Sequence, residues 1–228
     1  MAGTTPLWSL EYKMKQIALK ITAASKVYAK EKLDMLDEKR LVPNMMIRRR
    51  LTRNAKVMLY LGDQCEFTTG KIVYGSCYSE LEETARIANS VLNKELPSPI
   101  SFQNSVYNTA PSYFSLIHKN KEEILTVSSG MKTSIDTLKT AALQALVSGE
   151  KVFCVAIECI NINNIEEINQ CTEYLEAGAA IVIEVIEETE HTKEIEKRKT
   201  HGVINSLQEL MSVVTMFENG SNEILIEL

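Results

Sequence analysis

The chain has no stretch of about 18 consecutive apolar residues, so its sequence offers no apolar membrane-spanning helix. Glycine is scarce, with nine residues, and neither G-x-G-x-x-G nor G-x-x-x-x-G-K-[ST] occurs. The familiar phosphate loops of dinucleotide enzymes and P-loop ATPases are therefore missing. The three histidines His118, His191 and His201 stand far apart, and "ETEHTKE" around His191 reads as a charged surface rather than a metal site. The five cysteines Cys65, Cys77, Cys154, Cys159 and Cys171 are odd in number and contain no C-x-x-C pair. Neither a disulfide framework nor a zinc site follows, and the thiols are expected to be reduced and buried. Positive charge is also in deficit: the net charge of −5 gives no general attraction to nucleic acid. Glu11, Lys13 and Lys15 fall where a signal peptide needs an apolar centre, so a cytoplasmic location is expected, with no cofactor and no metal.

What is present is an ordinary globular composition, 45% apolar and 24% charged, in 228 residues, which suits one sizeable domain. Residues 1–42 read as an irregular, partly helical lead-in, and 43–228 as a single domain. Apolar spacing predicts a helix from about Asn44 to Leu61, which carries the one basic stretch, "MIRRRLTRNAK". "KIVYG" reads as a buried strand and "SELEETARIANSVLN" as a helix capped by Ser79. "LPSPI" breaks the chain, and Pro111 suits the first turn of a further helix. "EILTV" is a strand leading into a helix at 131–148 that Gly149 ends. "KVFCVAIECI" is apolar enough for a strand covered on both faces. A short helix ending at Gly178, the strand "AAIVIEVIEE", a solvated charge run at 187–201, a capped helix over "SLQELMSVVTMFENG" and the strand "EILIEL" complete the chain. Strands alternating with helices argue for an α/β fold with a mixed, mainly parallel sheet and helices on both faces.

The stretch "EILTVSSGMKTSIDTLKTA" has the shape of a nucleophile turn, a strand passing through small residues into a helix. A thiol or hydroxyl there gains from the helix dipole and from free backbone N–H groups. Met131 occupies the turn, and a thioether has no proton to lose. Ser128 and Ser129 are alternative nucleophiles or simple helix caps, since "SSG" is not G-x-S-x-G.

Three stretches carry a family likeness: "MIRRRLTRNAK", then "IVYGSCYSELEETARIANSVLNKELPSPISFQNSVYNTAPSYFSLIHKNKEEILTVSSG", then "VFCVAIEC". Over about residues 43–188 the chain resembles the β-ketoacyl synthase-like N-terminal family, standalone relatives of the condensing enzymes of fatty-acid and polyketide synthesis. The resemblance places Met131 where a ketosynthase carries its nucleophilic cysteine, with Ser129 and Gly130 before it and Lys132 and Thr133 after. The family's S-V-H-N appears as Ser105, Val106, Tyr107 and Asn108, with tyrosine for histidine.

The resemblance implies the N-terminal half of a thiolase-like fold, with the helix after the nucleophile buried between two halves in the full enzymes. Condensation needs a thiolate and two further polar residues that those enzymes draw from a C-terminal half, so the chain alone is not expected to condense acyl groups. The expected role is a catalytically inactive, chain-length-factor-like subunit that pairs with an active ketosynthase in fatty-acid, aryl-polyene or polyketide-type synthesis. Pairing as a heterodimer or homodimer would use the "EILTV" strand, with Ile124, Leu125, Thr126, Val127, Ser105, Tyr107 and Asn108 as the expected interface. Arg48, Arg49, Arg50, Arg53 and Lys56 read two ways, as a patch that steers an acidic acyl carrier protein or as intramolecular ion-pair partners. The alternatives are an acyl-handling enzyme using Ser128, Ser129 or Cys77, and a pure assembly scaffold.

Overall fold

The apolar run "VFCVAIEC" becomes β4 (Val152–Cys159), every residue of which is buried. Its side chains alternate between two cores. Val152, Cys154 and Ala156 point to one face of the sheet, while Phe153, Val155, Ile157 and Cys159 point to the other. Such two-sided burial requires helices above and below. In the computed structural model, which describes residues 16–162, 172–196 and 198–228, these helices are α3 (Arg53–Gln64) and α6 (Thr109–His118) on one face. On the other lie α7 (Thr133–Ser148) and α8 (Gln208–Glu218). Phe153 stacks on Phe67 with ring centroids 4.6 Å apart, and Phe114 completes the α3/α6 core.

Among the described residues the sheet has seven strands in the order β3-β2-β4-β5-β1-β7-β6. They are β1 (Gln16–Ala29), β2 (Lys71–Gly75), β3 (Ile124–Val127), β4, β5 (Glu176–Val185), β6 (Lys193–Glu194) and β7 (Glu223–Glu227). The sheet is mixed: β2 runs parallel to β3 and β4, whereas β5 is antiparallel to β4 and β1, and β1 to β7. β3 forms its open edge beyond β2.

Several local expectations are corrected. Residues 16–29 are not a partly helical lead-in but a 14-residue strand inside the sheet. Pairing with β5 on one side and β7 on the other outweighs the helical spacing of its apolar residues. Lys26, which breaks an apolar pattern, reaches Glu218 at 2.7 Å. The helix expected over 44–61 is two, α2 (Met45–Arg48) after the short α1 (Glu38–Leu41), then α3. Asn44 Oδ1 caps α2, and Thr52 restarts the helix by accepting from the Ala55 N–H at 3.2 Å. Gly178 ends no helix; it lies within β5, opposite Val27 and Ile157. Of the helix expected over 164–178, residues 164–171 lie outside the described residues, and from Glu176 the chain is β5.

The charge run at 187–201 is more than a solvated loop. Its charged side chains are largely exposed, yet its backbone straps α8. The Ser212 hydroxyl donates to the Glu196 carbonyl at 2.5 Å. The Gln208 amide donates to the Thr200 and Val203 carbonyls at 3.0 and 2.6 Å.

Candidate functional site

The parallel strands β2, β3 and β4 deliver three loops to one corner, and in α/β sheets the carboxyl ends of such strands are where ligands and reacting groups gather. Gly75 ends β2 where α7 crosses it, and a Cβ there would run into the Thr137 hydroxyl, so only glycine allows the helix this close. The Ser76 N–H donates to the Val127 carbonyl at 3.2 Å, which holds the loop after β2 against the end of β3.

The turn after β3 follows the outline of a nucleophile turn, with Met131 in it. Gly130 adopts φ +57°, and Gly130–Lys132 form a 3₁₀ turn that feeds α7. Neither Ser128 nor Ser129 is the side-chain cap. Thr133 locks the turn instead, accepting from the Ser129 N–H at 3.1 Å and donating to the Gly130 carbonyl at 2.7 Å. Met131 is 46% exposed at the head of α7 rather than packed in its apolar stripe. The inward face of that helix is Thr133, Ser134, Thr137, Leu138, Ala141, Ala142 and Ala145, and Leu146 faces out.

Behind the turn sits the chemistry that the sequence reading passed over. Glu158, near the end of β4, accepts four hydrogen bonds: from the Ser76 and Ser206 hydroxyls at 3.0 and 2.9 Å, and from the Cys77 and Tyr78 N–H groups at 2.6 and 3.2 Å. Burial pushes this carboxyl above its ordinary range, and the four donors oppose that push. Its role is to tie the loop after β2 and the turn before α8 to β4. Ser206 is thereby taken from capping α8. A single glutamate inside an apolar strand was the signal that would have found it.

Cys77 shares this loop. Burial and the Glu158 charge raise its thiol above the ordinary value, the opposite of what activates a nucleophile. Cys65, Cys154 and Cys159 are buried free thiols. The histidines lie elsewhere: His118 against the Phe114 ring, with centroids 4.4 Å apart, and His191 and His201 near surface glutamates.

A second buried carboxyl, Glu80, precedes α4 (Leu81–Leu92) and accepts from the Thr52 hydroxyl at 2.9 Å. Burial raises it to about 8. Ser79, the expected cap of this helix, is instead a left-handed residue at φ +55° whose N–H is held by Ser76 Oγ at 2.8 Å. Asn54 Oδ1, Ser79 Oγ and Glu83 Oε2 are buried here with no protein partner among the described residues. α4 thus rests on a polar base, and Leu92 on α4, Leu96 in the loop after it and Ile100 and Phe102 on α5 (Pro99–Asn104) are exposed, Leu96 to 97%.

Of the basic residues, the structure turns three inward. Arg53 forms a two-point ion pair with buried Glu176, at 2.7 and 2.5 Å. Lys56 meets Glu38 at 2.9 Å, and Arg48 donates to the Val42 carbonyl at 2.7 Å. The first turn of α3 faces the start of β5, so these side chains serve the fold, while Arg49 and Arg50 remain exposed. The expected interface residues fall in separate places. β3 is the sheet edge, Thr126 is exposed on it, and the Tyr107 hydroxyl donates to the Cys77 carbonyl at 3.2 Å beside the strand end. Asn108 and Val106 line a groove of about 290 Å³ with Tyr113 and Leu116, and Ser105 closes the end of α5 by donating to the Phe102 carbonyl at 2.9 Å.

The family model that matches the chain, over residues 22–225, is the N-terminal domain of β-ketoacyl synthase. No curated protein matches. Similar solved structures include a ketosynthase (ApeO) in complex with its chain length factor (ApeC) from Xenorhabdus doucetiae, with a TM-score of 0.62 and 21% identity. That match covers 74% of this chain and 79% of that one. The ishigamide ketosynthase/chain length factor aligns with a TM-score of 0.62 and 14% identity over 76% of this chain and 63% of that one. A β-ketoacyl synthase from Burkholderia phymatum aligns with a TM-score of 0.55 and 11% identity, over 75% and 60% of the two chains. At these identities the likeness is one of fold.

Proposed function

Because the chain belongs to the β-ketoacyl synthase N-terminal domain family, we propose that it is a chain-length-factor-like subunit, silent in condensation, that pairs with an active ketosynthase. The observation that carries this reading is Met131 at the turn between β3 and α7. The strand, the positive-φ glycine and the helix head are all kept, and the side chain offered there has no ionisable group. A nucleophile role for Cys77 is disfavoured by its raised thiol pKa, and Ser128 and Ser129 lie on an exposed turn, while the contacts of the three histidines are with Phe114, Glu190 and Glu173.

Pairing is supported by the open edge of β3, which leaves backbone groups without a strand neighbour, and by the apolar side chains exposed on and between α4 and α5. Solved relatives of the same fold are ketosynthase/chain length factor complexes. The partner's groove would then meet the Tyr107 side of this chain, and its acyl chain would be measured against that surface. Co-expression with a β-ketoacyl synthase and tandem-tag purification tests the reading. A stoichiometric complex is expected, and a chain that elutes alone contradicts it.

A further inference from the structure

Two turns of the chain close on each other at the base of α4, and between them oxygen atoms outnumber the groups that could donate to them. Residues 52–54 open α3, and residues 79–83 open α4. The Thr52 hydroxyl donates to Glu80 Oε1 at 2.9 Å, and Asn54 Nδ2 donates to the Ser79 carbonyl at 2.8 Å. The second bond fixes the orientation of the Asn54 amide, since a carbonyl accepts only from its N–H₂ end. Asn54 Oδ1 is left as an acceptor, buried and without a donor among the described residues, and so are Glu83 Oε2 and the Ser79 hydroxyl. Asn54, Glu83 and Ser79 are only 1%, 8% and 4% exposed. The cations nearby are engaged elsewhere, Arg86 with Glu82 and the other Glu83 oxygen at 2.5 and 2.9 Å, and Arg53 with Glu176.

We propose that the base of α4 is a binding site for a divalent cation of calcium size, held by the carboxylates of Glu80 and Glu83, the amide oxygen of Asn54 and the hydroxyl of Ser79. Hard oxygen donors select a hard ion, and two carboxylates balance a double charge. Calcium also accepts the irregular geometry that donors from two separate turns offer. A single water has two protons to give and leaves part of this oxygen set unmet, whereas an ion attracts every oxygen that faces it. The positive end of the α4 dipole opposes the ion, but with about half a unit charge against two carboxylates. In protein freed of divalent ions, Glu80 holds a proton in place of the ion. The bound ion clamps the start of α3 to the start of α4, and the inference stands independently of any pairing with a ketosynthase.

Calorimetric titration of calcium into the EDTA-treated, desalted chain tests this. One saturable site per chain is expected, with a melting temperature that rises with calcium concentration. Glu83→Gln keeps the shape of the side chain and removes its charge, and is expected to weaken binding by about tenfold or more. Glu82→Gln alters a neighbouring exposed carboxylate paired with the same Arg86, and is expected to bind as the wild type does, which separates a built site from attraction to an acidic surface. The wild-type titration decides even where a variant folds poorly: no saturable binding below about 1 mM overturns the proposal. A Glu83→Gln chain that binds as tightly as the wild type, or a Glu82→Gln chain that loses the ion to the same degree as Glu83→Gln, overturns it too.

Discussion

Glu158 and Glu80 are carboxyl groups taken out of water, and the surroundings of each decide what it does to stability. Glu158 is balanced by four donors, so replacing one of its oxygens with an amide N–H₂ sets donor against donor. Glu158→Gln is expected to cost on the order of 3 kcal/mol in urea unfolding, and a loss under about 1 kcal/mol removes it as the tie of the loop after β2 and the turn before α8 to β4. Glu80 has fewer donors, and the folded state keeps its proton up to about pH 8, while an unfolded glutamate releases it near the ordinary 4.5. Stability therefore falls as pH rises through that window, by up to about 1.4 kcal/mol per unit. Glu80→Gln, which preserves an acceptor for Thr52, is expected to flatten the decline and to be the more stable form at pH 9; parallel slopes for the two proteins contradict this. Glu158 left a trace only as the lone glutamate of an apolar strand and Glu80 left none, because burial of a charge depends on what folds over it. Met131 was legible, since a strand–turn–helix is written in local sequence and the missing thiol in one letter.

At the scale of elements, legibility followed how local the cause was. β4, α7 and β7 are announced by apolar runs and a glycine stop, and they stand where expected. β1 was hidden because its identity comes from two long-range pairings, and the strap on α8 because its bonds run from backbone through Gln208 and Ser212 rather than from its charges. The basic helix divided at Thr52 because a buried hydroxyl–carboxyl contact to Glu80 fixes that residue as a cap. The β3 edge gives a test at this scale. Ile72 and Ser76 donate to the Glu123 and Val127 carbonyls, so in the alternating parallel ladder the Thr126 N–H faces the open side. Thr126→Pro removes that donor without touching the β2 pairing. Near-wild-type thermal stability with loss of ketosynthase capture is the expected pair of results, and retained capture argues against strand pairing.

The whole molecule carries a net charge of −5, yet two guanidinium groups, Arg49 and Arg50, stay outward while their neighbours are absorbed into the fold. If they steer an acidic carrier protein, the double variant Arg49→Glu/Arg50→Glu weakens carrier binding by about tenfold at low salt and little at high salt, read by surface plasmon resonance. Equal affinities at low salt remove that role. The fold as a whole was readable as mixed α/β because alternating strands and helices leave few architectures, whereas the partner surface was readable only through resemblance. The role proposed above has this chain keep the frame of a condensing enzyme and take no acyl group itself. Intact-mass spectrometry of the co-expressed pair after incubation with an acyl-carrier thioester tests it most directly. The account predicts that the acyl mass appears on the ketosynthase alone, and an acyl adduct on this chain would contradict it.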